Sequence, residues 1–322
     1  MTSSGWERAG DAQLATTRKI SRQAVPAVNA RIEDLPASLP QRRLTFEAVT
    51  GRVILSLVAT LAVVWAAVLV LASLLQDRLL YFPVRRLESS PEAWGLRSEE
   101  LRLTASDGVR LHGWWIRGGG ERVVLLFHGN AGNVSHRMDR AKLFTARLDV
   151  DLWLVDYRGY GRSEGKPSEA GLYRDGLAIY DAARERGFPP ERIVLLGESL
   201  GCAVAAEVAL ARPSSGLILE TPFLSVPALA RLHYPFVPGL LVRARYDTGS
   251  RIGRVTVPKL IVAAERDEIA PVSHARRLFD LAKPPKELLV VPGAGHNDAY
   301  ATGGEKYLEV WRRFLDAIHS EP

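Results

Sequence analysis

The chain has 322 residues, 47% apolar and 24% charged, an ordinary balance for a folded protein with room for one large catalytic domain plus extensions. Its net charge of +6 comes mainly from arginines scattered through helix-like segments, which argues against a nucleic-acid partner and fits a mildly basic surface. A single cysteine, Cys202, excludes a disulfide framework and any Cys/His zinc pattern, while leaving the redox compartment open.

Residues 1–50 are mostly polar, without a sustained helical or strand period, and Pro26, Pro36 and Pro40 interrupt them; they read as a mobile tail. Acidic Glu7, Asp11, Glu33 and Asp34 speak against a transit peptide. From Val53 to Leu75 no residue is charged. At about 1.5 Å per residue this run gives roughly 34 Å of helix, enough to cross a hydrocarbon core of about 30 Å. A buried core helix seldom lacks polar residues on every side over such a length, so residues 53–75 read as one transmembrane helix. Trp65 falls mid-span, whereas Tyr81 and Phe82 just beyond it suit the interface. Arg42, Arg43 and Arg52 on one side balance Arg78, Arg85 and Arg86 on the other, so charge does not set the orientation. A short tail before the span and a large domain after it suit a signal anchor, with the domain on the non-cytoplasmic side. Residues 76–97, with Pro83 and Pro91, read as a linker.

Beyond the linker, over residues 98–320, short apolar runs alternate with helix-period segments. The runs are Glu100–Leu103, Arg110–Ile116, Arg122–Phe127, Asp149–Val155, Arg192–Leu196, Gly216–Leu219, Lys259–Ala263 and Glu287–Val291. Helical patterns include Gly171–Glu185, Cys202–Ala211 and Val272–Leu281. This alternation predicts a mainly parallel central sheet with helices on both faces, while Asp107-Gly108 predicts an early hairpin.

The pattern Gly-x-Ser-x-Gly occurs twice, around Ser163 and around Ser199. Only Ser199 stands between a strand-like run and an immediate helix, the order that a nucleophile elbow needs to lift the hydroxyl above the sheet edge. Ser163 is followed by a loop and a helix cap. Downstream, His296 sits in the Gly-rich loop after Glu287–Val291 and is the candidate general base; His233, His274 and His319 lie in helix-like or terminal segments. Asp267, just past Lys259–Ala263, is the candidate acid, with Glu265 and Glu268 as local competitors. An oxyanion needs backbone donors, for which the N–H groups of Leu200 and Asn130 are assigned, with Ala131 as a substitute. His128 reads as a brace for that loop, and Cys202 as a small packing residue.

Taken together these residues resemble the membrane-anchored α/β-hydrolase domain proteins related to lysophospholipases and protein-depalmitoylating thioesterases. The resemblance covers about residues 77–318 and rests on Arg78–Pro83, Asp107–Trp114, His128–Asn133, Asp156–Gly161, Gly197–Gly201, Asp267 and Gly295–Asp298. Members commonly carry His-Gly ahead of the acid turn, where this chain has Ala263-Ala264. The resemblance implies an α/β-hydrolase fold and ester or thioester hydrolysis of a lipid-like or small acyl substrate by Ser199, His296 and Asp267. It implies no metal or cofactor. A serine peptidase of the same fold and a non-catalytic membrane scaffold are the rival readings. The first expects acidic residues in a larger cap and the second the loss of a triad member. A short lid is expected over residues 223–256, whose apolar stretch Tyr234–Leu241 reads either as an acyl-facing cap or as packing for a short helix.

Overall fold

The computed structural model describes residues 46–318, with side chains from Val49 onward. Most of the segment read as a mobile tail therefore lies outside the described residues, but its last five residues are helical. They begin α1, Phe46–Leu74. Within it Val49–Leu74 contains an 18-residue stretch of mean hydropathy 2.8 and is long and apolar enough to cross a membrane.

The segment read as a linker is built into the domain. It carries α2 (Gln76–Leu80), β1 (Phe82–Pro83) and a 3-10 turn at Glu92–Trp94. Tyr81 is buried and shares a 2.7 Å hydrogen bond with the Tyr246 hydroxyl, so it is no interfacial anchor, whereas Phe82 is exposed. The Arg85 guanidinium donates to the Ser163 carbonyl at 2.6 Å, and the Glu88 N–H donates to the Ser135 hydroxyl. Extended backbone beside a loop finds its hydrogen-bond partners there, because a stretch pressed against protein cannot leave its N–H groups unpaired.

The domain's strands are β2 (Ser98–Thr104), β3 (Arg110–Ile116), β4 (Arg122–Phe127), β5 (Ala131–Gly132), β6 (Val150–Val155), β7 (Ile193–Glu198), β8 (Gly216–Glu220), β9 (Lys259–Ala264) and β10 (Lys286–Val291). Eight of them form one sheet in the order β10-β9-β8-β7-β4-β6-β3-β2. Only the β2–β3 and β3–β6 pairs are antiparallel. The Asp107-Gly108 turn closes the β2–β3 hairpin, and Gly108 takes a positive φ there.

The interior strands are apolar along their whole length because both faces are covered. Alternate residues serve opposite faces. Val123, Leu125 and Phe127 of β4 pack with α4 (Glu169–Glu185), α5 (Gly201–Ala211) and α8 (Val272–Leu281). Val124 and Leu126 pack on the other side with Phe144 of α3 (Met138–Arg147) and with Tyr307 and Trp311 of α9 (Ala299–Ala317).

The segment expected to form a lid holds α6 (Val226–His233), a 3-10 turn at Gly239–Leu241 and α7 (Thr248–Ile252). It divides in two. Val242, Ala244, Tyr246 and Ile252 are core, whereas α6 buries no residue and Tyr234, Phe236 and Leu240 are exposed. Within Tyr234–Leu241, Tyr234, Phe236 and Leu240 are thus free of the core, while Val237 and Leu241 are half-buried.

Candidate active site

Strand β7 delivers Ser199 at the sheet's carboxyl edge, and α5 begins two residues later. Ser199 has φ +51, a left-handed conformation that a side chain adopts only under strain and that clusters at functional sites. Its N–H is tied to the Glu220 carbonyl at 2.9 Å, and its carbonyl receives the Cys202 N–H at 3.0 Å. Two residues to either side only glycine fits: a Cβ on Gly201 would overlap the Phe127 carbonyl, and one on Gly197 would meet the Cys202 backbone.

The Ser199 hydroxyl lies 2.8 Å from His296 Nε2. Nδ1 of the same ring lies 2.7 Å and 2.9 Å from the two Asp267 carboxylate oxygens. Both His296 and Asp267 are buried. Asp267 also accepts the N–H groups of Ile269 and Ala270 at 2.9 Å and 2.7 Å, which aims it at the imidazole. The two loops are cross-tied: Arg266 N–H donates to the Ala294 carbonyl, and Gly293 N–H donates to the Glu265 carboxylate. Glu265 and Glu268 are exposed, and neither bonds to His296. His233 reaches the Ile269 carbonyl, His274 accepts the Leu224 N–H, and His319 lies outside the described residues. Ser163 is fully buried; its hydroxyl accepts the His112 N–H and donates to the Asp156 carbonyl, which suits a turn brace.

Across from His296, the loop after β4 supplies the other wall. Asn130 is held on two sides: its side-chain amide donates to the Leu80 carbonyl at 2.8 Å, and its own carbonyl accepts the Phe82 N–H and the Tyr160 hydroxyl. The backbone N–H groups of Leu200 and Asn130 find no acceptor among the described residues. His128 is fully buried against Tyr157 and Tyr160, with Nδ1 donating to the Gly129 carbonyl at 2.8 Å. Burial keeps its pKa well below the ordinary histidine value, so it stays neutral as a brace. Burial likewise pushes the Cys202 thiol up, so it stays protonated as a packing residue.

A cavity of about 370 Å³ opens over Ser199 and His296, bounded by Asn130, Arg137, Tyr300 and Ile269. One part of it is absent from the sequence reading. Glu198 and Glu220 end neighbouring strands side by side, and the buried Arg140 of α3 donates to both carboxylates. Arg137 adds a 3.1 Å bond to Glu198, and the Tyr307 hydroxyl donates to Glu220 at 2.6 Å. Burial opposes the Glu198 charge, but Arg140 and Arg137 outweigh it and hold the carboxyl below its usual range. The available signal was two carboxylates at the ends of consecutive buried strands, which require a cation that chain order cannot name.

An eight-stranded, mostly parallel sheet with its elbow serine, loop histidine and loop aspartate at the carboxyl edge defines an α/β hydrolase, and the chain belongs to that family. The sequence model of the serine aminopeptidase S33 family matches residues 120–251. The chain is 37% identical over 266 residues to the uncharacterized protein Rv2307c of Mycobacterium tuberculosis, covering 81% of this chain and 94% of that one. It is 32% identical over 274 residues to the alpha/beta hydrolase domain-containing protein WAV2 of Arabidopsis thaliana, covering 76% and 89%. Among solved structures, the esterase Pf2001 of Pyrococcus furiosus matches with a TM-score of 0.63 at 20% identity, covering 74% of this chain and 98% of that one. At that identity the likeness speaks for the fold.

Proposed function

We propose that the protein is a serine hydrolase that cleaves carboxylic ester or thioester bonds of an acyl substrate at a membrane surface. The observation that carries this reading is the unbroken contact chain Ser199 Oγ–His296 Nε2 at 2.8 Å and His296 Nδ1–Asp267 at 2.7 Å, on an elbow at φ +51. His296 takes the Ser199 proton as the oxygen attacks the acyl carbonyl, and Asp267 keeps the imidazole in the tautomer whose Nε2 can accept it. The carbonyl oxygen, now an oxyanion, receives the N–H groups of Leu200 and Asn130, which have no other acceptor among the described residues. His296 returns the proton to the leaving alkoxide or thiolate. A water deprotonated by the same ring then attacks the acyl-enzyme, and the acid product leaves with Ser199 restored.

The family description also favours a second reading, an aminopeptidase. Such an enzyme needs a carboxylate free to receive the substrate amine. Here Glu198 is taken by Arg137 and Arg140, Glu220 by Arg140 and Tyr307, and Asp139 by the Tyr300 hydroxyl. This pairing favours ester over amide substrates.

A fluorophosphonate probe applied to the full chain tests the nucleophile. Labelling is expected in the native protein and in Ser163→Ala, and absent in folded Ser199→Ala. Labelling that survives in Ser199→Ala overturns the assignment. A panel of matched acyl esters, thioesters and aminoacyl amides separates the two readings, with turnover of amides alone favouring the peptidase. We also infer that α1 spans a bilayer, on the strength of its apolar length, as a signal anchor that carries the large domain after it on the non-cytoplasmic side.

A further inference from the structure

Gln76 stands two residues beyond Leu74, the end of α1. Its side-chain oxygen accepts the N–H groups of Arg243 and Ala244 at 2.7 Å and 3.0 Å, and its amide nitrogen donates to the Leu241 carbonyl at 3.2 Å. The chain leaving the apolar helix is thus fastened to the base of the lid. With consecutive Cα atoms about 3.8 Å apart, these contacts keep Leu240 within roughly 20 Å of the last residue of α1.

Leu240 is 81% exposed, more than any other large apolar side chain among the described residues. Leu232, Tyr234 and Phe236 of the same lid are each more than half exposed, as are Leu79 and Phe82 on the chain leaving α1. In water each of these large side chains forgoes the stabilisation that burial would give it. Arg78, Arg231, Arg243 and Arg245, close to these residues in the chain, are exposed and outnumber the exposed Asp77, which lies 4.0 Å from Arg243. Apolar knobs rimmed by arginine fit the boundary between acyl chains and anionic headgroups.

The same residues lead to the active-site mouth from two sides. His233, at the end of α6, bonds to the Ile269 carbonyl at 2.8 Å, and Ile269 lines the cavity with Ser199 and His296. On the other side the Phe82 N–H donates to the Asn130 carbonyl, and Asn130 lines the opposite wall.

We propose that the lid tip, residues 232–240, together with Leu79 and Phe82, docks into the anionic bilayer surface at which α1 ends. The Ser199 cavity then opens onto the acyl region and takes its acyl chain from the membrane. This rests on reading α1 as a span and Ser199 as the nucleophile, and it adds the lipid-facing surface and the source of the substrate.

Full-length Leu240→Cys carrying an environment-sensitive NBD label, reconstituted in phosphatidylcholine–phosphatidylglycerol vesicles with doxyl-labelled lipid, tests the docking directly. The native Cys202 is buried and stays unlabelled. Glu191→Cys, exposed at the opposite end of the strand carrying Ser199, is the comparison. Blue-shifted emission quenched by lipid-borne doxyl at position 240, and not at 191, is the expected result. Equal quenching at the two positions overturns it, as does a blue shift that lipid does not quench and that fades on dilution, since a second copy would then cover the lid. Carbonate extraction separates the readings. Release of the protein refutes the span and the docking together, whereas a retained protein with an unquenched label refutes the docking alone. Phe236→Asp/Leu240→Asp is expected to keep fluorophosphonate labelling and turnover of a water-soluble ester, while turnover of a bilayer-embedded acyl ester falls about tenfold. Equal loss on both esters counts against the docking, and no turnover of either by the native protein counts against the ester reading only.

Discussion

At the scale of single residues, the order Ser199, Asp267, His296 is legible because each follows a strand-like run, and loops at the carboxyl edge of a parallel sheet converge. Asp267 and His296, 29 positions apart in the chain, meet at 2.7 Å. Asp267→Asn is expected to lower kcat by on the order of 10⁴ with little change in stability, since the imidazole then rests in the wrong tautomer. Glu265→Gln and Glu268→Gln should keep most activity; comparable damage from either would move the acid assignment. Arg140 is a different case. Removing its charge leaves the buried Glu220 with only the Tyr307 hydroxyl and the half-buried Glu198 with only Arg137, so Arg140→Leu should cost about 3–5 kcal/mol in denaturant titrations. A loss under about 1 kcal/mol would mean that Glu198 and Glu220 are solvated or protonated without it. No periodicity points to Arg140, because what makes it necessary sits 58 and 80 residues away in sequence.

Among elements, the strands and the elbow helix were readable from hydrophobic runs and their punctuation. Residues 76–97 were not. Their sequence has the prolines and mixed polarity of a tether, and only the neighbouring loop supplies the partners that give it structure. Asn133 donates to the carbonyls of Val84 and Arg86, and β1 pairs with β5. This segment also holds Asn130, through Leu80 and Phe82. A chain beginning at Gln76 is therefore expected to fold and label with fluorophosphonate. One beginning at Ser98 should lose several kcal/mol of stability and most labelling, because each severed buried hydrogen bond leaves a donor or acceptor unsatisfied at about 1–3 kcal/mol. Parallel thermal melts and probe labelling of the two truncations check this; indistinguishable behaviour would restore the tether.

For the molecule as a whole, the placement of the domain is open to a direct measurement. Protease added to intact spheroplasts is expected to digest the domain, and protection until lysis would place it in the cytoplasm, since equal arginine counts flank the apolar run. The sequence by itself determined the class of fold and the apolar helix, and it placed Ser199, Asp267 and His296 each just after a strand-like run, because these follow from local periodicity, strand-end positions and length. Only the tertiary structure decided that Arg140 bridges Glu198 and Glu220, that the supposed linker braces Asn130, and that Tyr234, Phe236 and Leu240 face outward. Each of these depends on which surfaces meet across long separations, and the free energy of burying a charge or a backbone N–H is set by that meeting and not by the residues on either side of it in the chain.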